Sequence, residues 1–182
     1  MSEPAITDSR LSGVSALRAA FDRSFAEPPR PDLTAMEDLL VVRVGDEVFA
    51  IRLSEITGLY ADKKITRVPG GDPALLGIAG FRGTIHPVYG LTILLGRQAE
   101  AEPRWLVVMA AAPAALAFDG FDGHLRVASE TIRPRESGAR DQPYAQDFVP
   151  VQQIVRPILH LPSIVDAIGA QRPAVAPGED PS

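Results

Sequence analysis

The sequence predicts a mainly β fold made of two similar units in tandem, with short helices and a helical N-terminal extension. Three observations carry this. From Leu39 onward the chain is a succession of short apolar runs cut by turn residues. One ending occurs twice: Pro87-Val88-Tyr89-Gly90-Leu91 is echoed by Pro157-Ile158-Leu159-His160-Leu161. Each ending leads into an apolar, helix-compatible segment, Thr92 to Leu95 and Pro162 to Ile168. Strands in the same order in both units fit two small barrels or sandwiches.

Residues 1–38 stand apart. Val14, Leu17, Phe21 and Phe25 recur at helical spacing with Arg18, Asp22 and Arg23 between them. Glu27-Pro28-Pro29-Arg30-Pro31 ends that helix in a stiff linker. Leu39 to Val44 and Val48 to Leu53 then flank Gly45-Asp46, a hairpin. Ser54 is a candidate cap for a helical turn holding Ile56, Leu59 and Tyr60. Ile65 to Pro69 leads to the turn Gly70-Gly71-Asp72-Pro73, and Ala74 to Ala79 runs into Phe81-Arg82-Gly83 and the strand Thr84 to Tyr89.

After the polar spacer Arg97 to Arg104 the pattern restarts. Trp105 to Met109 and Ala114 to Phe118 form the second hairpin, and Ile132-Arg133-Pro134 matches the segment at Ile65. Phe148 to Val155 and Arg156 to Leu161 close the second unit. The expected division is 1–38 for helix and linker, 39–170 for two subdomains of about 39–100 and 101–170, and 171–182 for a disordered tail rich in Pro, Ala and acids.

Composition narrows the function. The chain has 182 residues, 46% hydrophobic and 23% charged, with a net charge of −5. That charge and the lack of clustered Lys and Arg argue against nucleic acid as partner. The absence of cysteine excludes disulfides and thiol chemistry. MSEPAITDSR lacks the basic and apolar regions of a signal peptide. The longest apolar run, Met109 to Phe118, is too short to span a bilayer and contains Pro113, so direct membrane insertion is not expected. A cytoplasmic location follows as the default.

Arg82 is the leading candidate for function. It lies on a tight turn between Phe81 and Gly83, where a long side chain projects. Two readings stand. Its guanidinium binds a partner carboxylate or carbonyl, or it pairs with an internal acid and pins the turn. Ile56, Leu59 and Tyr60 are either core or the apolar centre of an interface. His86, His124 and His160 invite a metal reading, but no two have the i, i+4 spacing of ligands on one helix face. Phe118-Asp119-Gly120 and Asp122-Gly123 read as turns, and with Glu130 they show no paired-carboxylate pattern. No catalytic, cofactor-binding or metal-ligating residue is assigned, and no cofactor is expected.

VVRVGDEVFAI, ITRVPGGDPALLGIAGFRGTIHPVYGL and the repeat ending in VRPILHLPSIV together resemble the CheW-like domain, the adaptor fold of bacterial chemotaxis signalling. Gly77, Arg82, Gly83, Pro87, Val88 and Leu91 stand at matching positions. The resemblance covers roughly Leu39 to Ile168. It implies two pseudo-symmetric, five-stranded SH3-like barrels around a shared apolar core. It also implies a non-enzymatic adaptor that binds the regulatory domain of a CheA-like histidine kinase and the cytoplasmic tip of methyl-accepting chemoreceptors, at membrane receptor arrays. Arg82, Phe81, Ile56, Leu59 and Tyr60 are then the expected partner-binding residues. Gly80 replaces the family's usual Asn, Gly90 and His160 its usual Asp, and Gly58 a frequent acid. These departures and the added N-terminal helix are compatible with an alternative, a chemosensory pathway serving surface motility, development or a second messenger. A small metal- or ligand-binding barrel is the remaining alternative.

Overall fold

The computed structural model describes residues 35–69, 71–99, 102–135, 142–151 and 153–171. The helix expected at Val14 to Phe25, its proline linker and the tail beyond 171 lie outside these residues. The described residues form eleven strands and two α-helices, in order: β1 (Met36–Val44), β2 (Glu47–Arg52), β3 (Ile56–Ala61), β4 (Leu75–Phe81), β5 (Thr84–Gly90), α1 (Leu91–Leu94), β6 (Trp105–Met109), β7 (Ala115–Phe118), β8 (Gly120–Ala128), β9 (Arg133–Pro134), β10 (Ala145–Val151), β11 (Ile154–Leu159) and α2 (Leu161–Gln171). The first strand thus begins at Met36 rather than Leu39.

The strands form two sheets, ordered β8-β1-β2-β11-β10-β9 and β3-β6-β7-β5-β4. The expected mainly β architecture holds, but neither ladder closes into a hydrogen-bonded barrel among the described residues. Nor do the sheets divide the chain near residue 100. The β1–β2 hairpin pairs with β8 and β11 of the second half, and the β6–β7 hairpin with β3 and β5 of the first. The halves have exchanged their leading hairpins.

The repeat holds residue by residue. In the β4–β5 ladder Leu75 faces Tyr89, Ile78 faces Pro87 and Phe81 faces Thr84; in the β10–β11 ladder Ala145 faces Leu159, Phe148 faces Pro157 and Val151 faces Ile154. Both carry an irregularity at the same place, between Leu75 and Gly77 and between Ala145 and Asp147. Each proline stands one residue before its strand begins parallel pairing, at Val88↔Ala115 and Ile158↔Ala50, where no ladder amide is needed.

Three apolar clusters explain the sequence texture. One lies within the five-stranded sheet (Ala79, Phe81, Val88, Leu106, Val108, Ala115, Ala117), and another within the six-stranded sheet (Leu39, Ala50, Val149, Ile158). The largest joins both sheets and both helices, through residues such as Val42, Phe49, Ile51, Leu91, Val107, Leu116, Phe118 and Ile164. Strands β1, β2, β6 and β7 therefore bury both faces. That is why Leu39 to Val42 and Trp105 to Met109 are unbroken apolar runs without alternation.

Two features tie the sheets to their connections. Gly77, at φ +147°, lets Thr66 cross β4, with N–H···O bonds of 2.8 Å in both directions between Thr66 and Ile78. Arg52, with a side chain 18% exposed, donates to Glu37 at 2.8 Å and Asp147 at 2.6 Å and stands 3.8 Å from Glu55. Burial works against its charge, but the bonds to Asp147 and Glu37 outweigh it and raise the guanidinium above its ordinary value.

Candidate functional site

Phe81 pairs with Thr84, so Arg82-Gly83 is a two-residue hairpin turn. Both turn residues have positive φ, +47° for Arg82 and +85° for Gly83, as a primed turn requires. Gly83 adopts this freely, whereas an arginine in the left-handed region carries a backbone cost of about 1 kcal/mol. The arginine side chain is exposed, and among the described residues it forms no ion pair. No described acid pins this turn.

Phe81 is 3% exposed and belongs to the cluster inside the five-stranded sheet. Its ring meets Tyr60 at 4.9 Å and the edge of His86 at 5.6 Å. As a free contact residue Phe81 is therefore out of reach; it is core that anchors the turn. Tyr60 and Phe81 come from β3 and β4, the two edges of this sheet, so their ring contact bridges the seam that the ladder leaves open. Lys63 Nζ lies 5.5 Å from the Tyr60 ring centre and 6.0 Å from that of Phe81, within cation–π range.

The helical turn expected for Ile56, Leu59 and Tyr60 is a strand; a 3-10 turn stands just before it, at Leu53–Glu55. Ile56 pairs with Met109 and Gly58 with Val108, so one extra residue is bulged between them. The bulge puts Ile56 and Leu59 on the same face, opposite Met109 and Val107 and against the shared core. Tyr60, opposite Leu106, points the other way, into the smaller cluster. A bulged strand thus reproduced the i, i+3 spacing of a helix. The five residues do not form one patch: Arg82 is exposed at the tip, Tyr60 and Phe81 brace it, and Ile56 and Leu59 lie on the opposite face of β3.

The glycine departures have local explanations. Gly58 lies under the Tyr60 ring, where an added Cβ would meet ring atoms at 2.8–3.1 Å. Gly80 has nothing within 4 Å of an added Cβ, and its cross-strand neighbour Ile85 is left 68% exposed. Ile85 was missed from sequence. Strand alternation from buried Phe81 and Val88 would have placed it outward, but its bareness depends on the facing glycine. Gly90 precedes α1 and offers no side-chain cap, whereas His160 before α2 does.

The other candidates are scattered. His124 is in β8, and its Nε2 is 2.9 Å from Asp38. Asp122 lies in the same strand and pairs with Arg43. Asp119 accepts the Gly45 amide at 2.6 Å. Among the described residues no three His, Cys, Asp or Glu side chains are placed to hold a metal ion. None of their helices is long and apolar enough to cross a membrane.

The β4–β5 tip thus presents an exposed cation, with no ion pair among the described residues, and a bare isoleucine beside an aromatic core. The comparisons agree on the class. The model of the CheW-like domain matches residues 38–169, and the chain belongs to that family of scaffold and adaptor domains. Among solved structures it is similar to the scaffolding protein TtCheW from Thermoanaerobacter tengcongensis, with a TM-score of 0.63 at 17% identity, over 69% of this chain and 90% of that one. No curated protein matches the chain closely.

Proposed function

We propose that this chain is a non-enzymatic adaptor that couples methyl-accepting chemoreceptors to a CheA-like histidine kinase. Membership of the CheW-like family supports the adaptor role. The observation that carries the site is Arg82: exposed, without a described ion pair, and held on a turn that a different residue would fill at lower backbone cost. A guanidinium so placed presents its donor fork to a carboxylate or a row of carbonyls. Lys63 and Lys64, both exposed, add positive charge on the β3–β4 connection of this net-acidic chain. Ile85 supplies apolar area beside it. Occupying kinase and receptor together raises the effective concentration of each near the other. The working location is the cytoplasmic face of the membrane, at receptor arrays.

Arg82→Ala should weaken capture of the kinase regulatory domain at least tenfold, with a melting temperature close to wild type. A large loss of melting temperature with unchanged capture would return Arg82 to a purely structural role. Gly58 and Gly80 favour a second reading, a chemosensory pathway other than chemotaxis. Tyr60 covers the first, and the second bares Ile85, so the surface offered differs from the usual family pattern. Binding to the kinase of such a pathway, with none to a chemotaxis kinase, would select it.

A further inference from the structure

The connection between β3 and β4 borders a groove of about 530 Å³, within the range of a binding cleft. Half-buried Ile65, Val68 and Leu76 form its floor, and exposed Lys63, Lys64 and Arg67 its rim. Among the described lining residues Glu102 is the one acid, and it stands 3.7 Å from Arg67 with both side chains almost fully in water. Such a pair contributes little. Lys63 and Lys64 form no ion pair among the described residues. Two more acids flank the groove, and both are engaged. Asp62 accepts from Arg104 at 2.9 and 3.2 Å, and Asp72 accepts the Ala74 amide at 2.8 Å.

The backbone holds the groove in shape. Thr66 and Ile78 exchange bonds of 2.8 Å, which pins the floor to β4. The Asp62 N–H donates to the Arg104 carbonyl at 2.9 Å, which ties the start of the connection to the segment carrying Glu102 and Pro103. The Leu75 N–H, on the Asp72 carbonyl at 3.1 Å, closes the turn at the far wall. Lys63 is placed as well, since its Nζ stands over the rings of Tyr60 and Phe81. A cleft already formed binds without the cost of ordering its walls.

We infer that this groove takes an acidic, aliphatic segment of a partner protein, with leucine-like side chains on the floor and carboxylates on the rim. Charge complementarity selects the occupant. Three cations face one weakly held acid, on a chain whose net charge is −5. The aliphatic floor has no counterpart in a phosphate backbone, and three cations are few for nucleic acid. Apolar area supplies affinity, and the rim supplies orientation and on-rate. Arg82 stands outside the groove's lining, so the inference goes beyond its docking role.

The test is fluorescence anisotropy of a labelled synthetic peptide, Glu-Glu-Leu-Glu-Glu-Leu, with the full chain. Two copies serve as controls, one with lysine for glutamate and one with serine for leucine. The acidic peptide should bind at least about tenfold more tightly than either copy. Lys64→Glu should weaken it about tenfold, and Glu102→Gln, which frees Arg67, should tighten it about threefold. No binding up to about 1 mM, equal binding of the three peptides, or affinities unchanged in both variants would overturn the inference. Binding that appears only in the full chain carrying Glu179→Gln and Asp180→Asn would overturn it too, and give the groove to the chain's own tail. Capture of phosphatidylserine vesicles without the peptide would also overturn it, and assign the surface to lipid. The assay contains neither kinase nor receptor, so its outcome is separate from that of the Arg82→Ala capture experiment.

Discussion

A Cβ added to Gly77 would lie 2.2 Å from the Thr66 carbonyl oxygen, on a backbone at φ +147° that L side chains rarely adopt. Backbone cannot yield as a flexible side chain does. Gly77→Ala should therefore cost about 2–4 kcal/mol, read as a lower denaturant midpoint at unchanged slope. Arg82 shows the opposite relation between residue and backbone. Asn-Gly suits a primed turn better than Arg-Gly, so Arg82→Asn should melt at or above the wild-type temperature while losing kinase capture. A variant that melts lower and still binds would contradict the docking role. Phe81→Ala separates core from contact. With Phe81 buried in the smaller cluster, the variant should lose about 3–5 kcal/mol of stability. Near-wild-type stability would place the ring outside the core.

Whole strands show what pattern reading can and cannot recover. The β4–β5 hairpin is legible because Arg82-Gly83 marks its turn, and the Pro-x-x-x-Leu ending repeats in β11; the β10–β11 turn is not legible, since the expected segment Phe148 to Val155 runs through it and Gln153, at φ +68°, carries no turn signature. Strand β3 is not legible either, since its bulge moves the burial pattern off period two and onto a helix-like spacing. Asp119-Gly120 and Asp122-Gly123 carry turn chemistry, yet Gly120–Ala128 runs as one strand, β8, against β1, with a register shift between Val41 and Val42. Arg52 joins elements that local reading leaves separate, linking β1, β10 and the Leu53–Glu55 turn. Arg52→Ala should cost about 1.5–3 kcal/mol by chemical denaturation. Because its charged form is favoured on folding, this contribution is complete below the ordinary guanidinium range and is lost only above it. Across the neutral range the deficit should be flat with pH, and a slope there would contradict this pairing.

At the scale of the molecule, the exchanged hairpins make each half dependent on the other. Neither sheet can be completed by residues 35–99 or 102–171 alone, since each takes at least two strands from the other half. The separate fragments should show little sheet signal in circular dichroism and recover it on mixing, eluting as one complex. Independent folding of either fragment would mean that a half can close its own sheet. By itself, the sequence determined the class of fold, the duplication and the position of Arg82 on its turn, because these rest on local pattern: apolar runs, turn residues and a repeated ending. Tertiary structure decided which strands pair across the halves, that Phe81 is core, that Ile85 is bare and that His160 serves as a cap. Those outcomes depend on partners far along the chain, and no local spacing encodes what a side chain will meet when the hairpins change places.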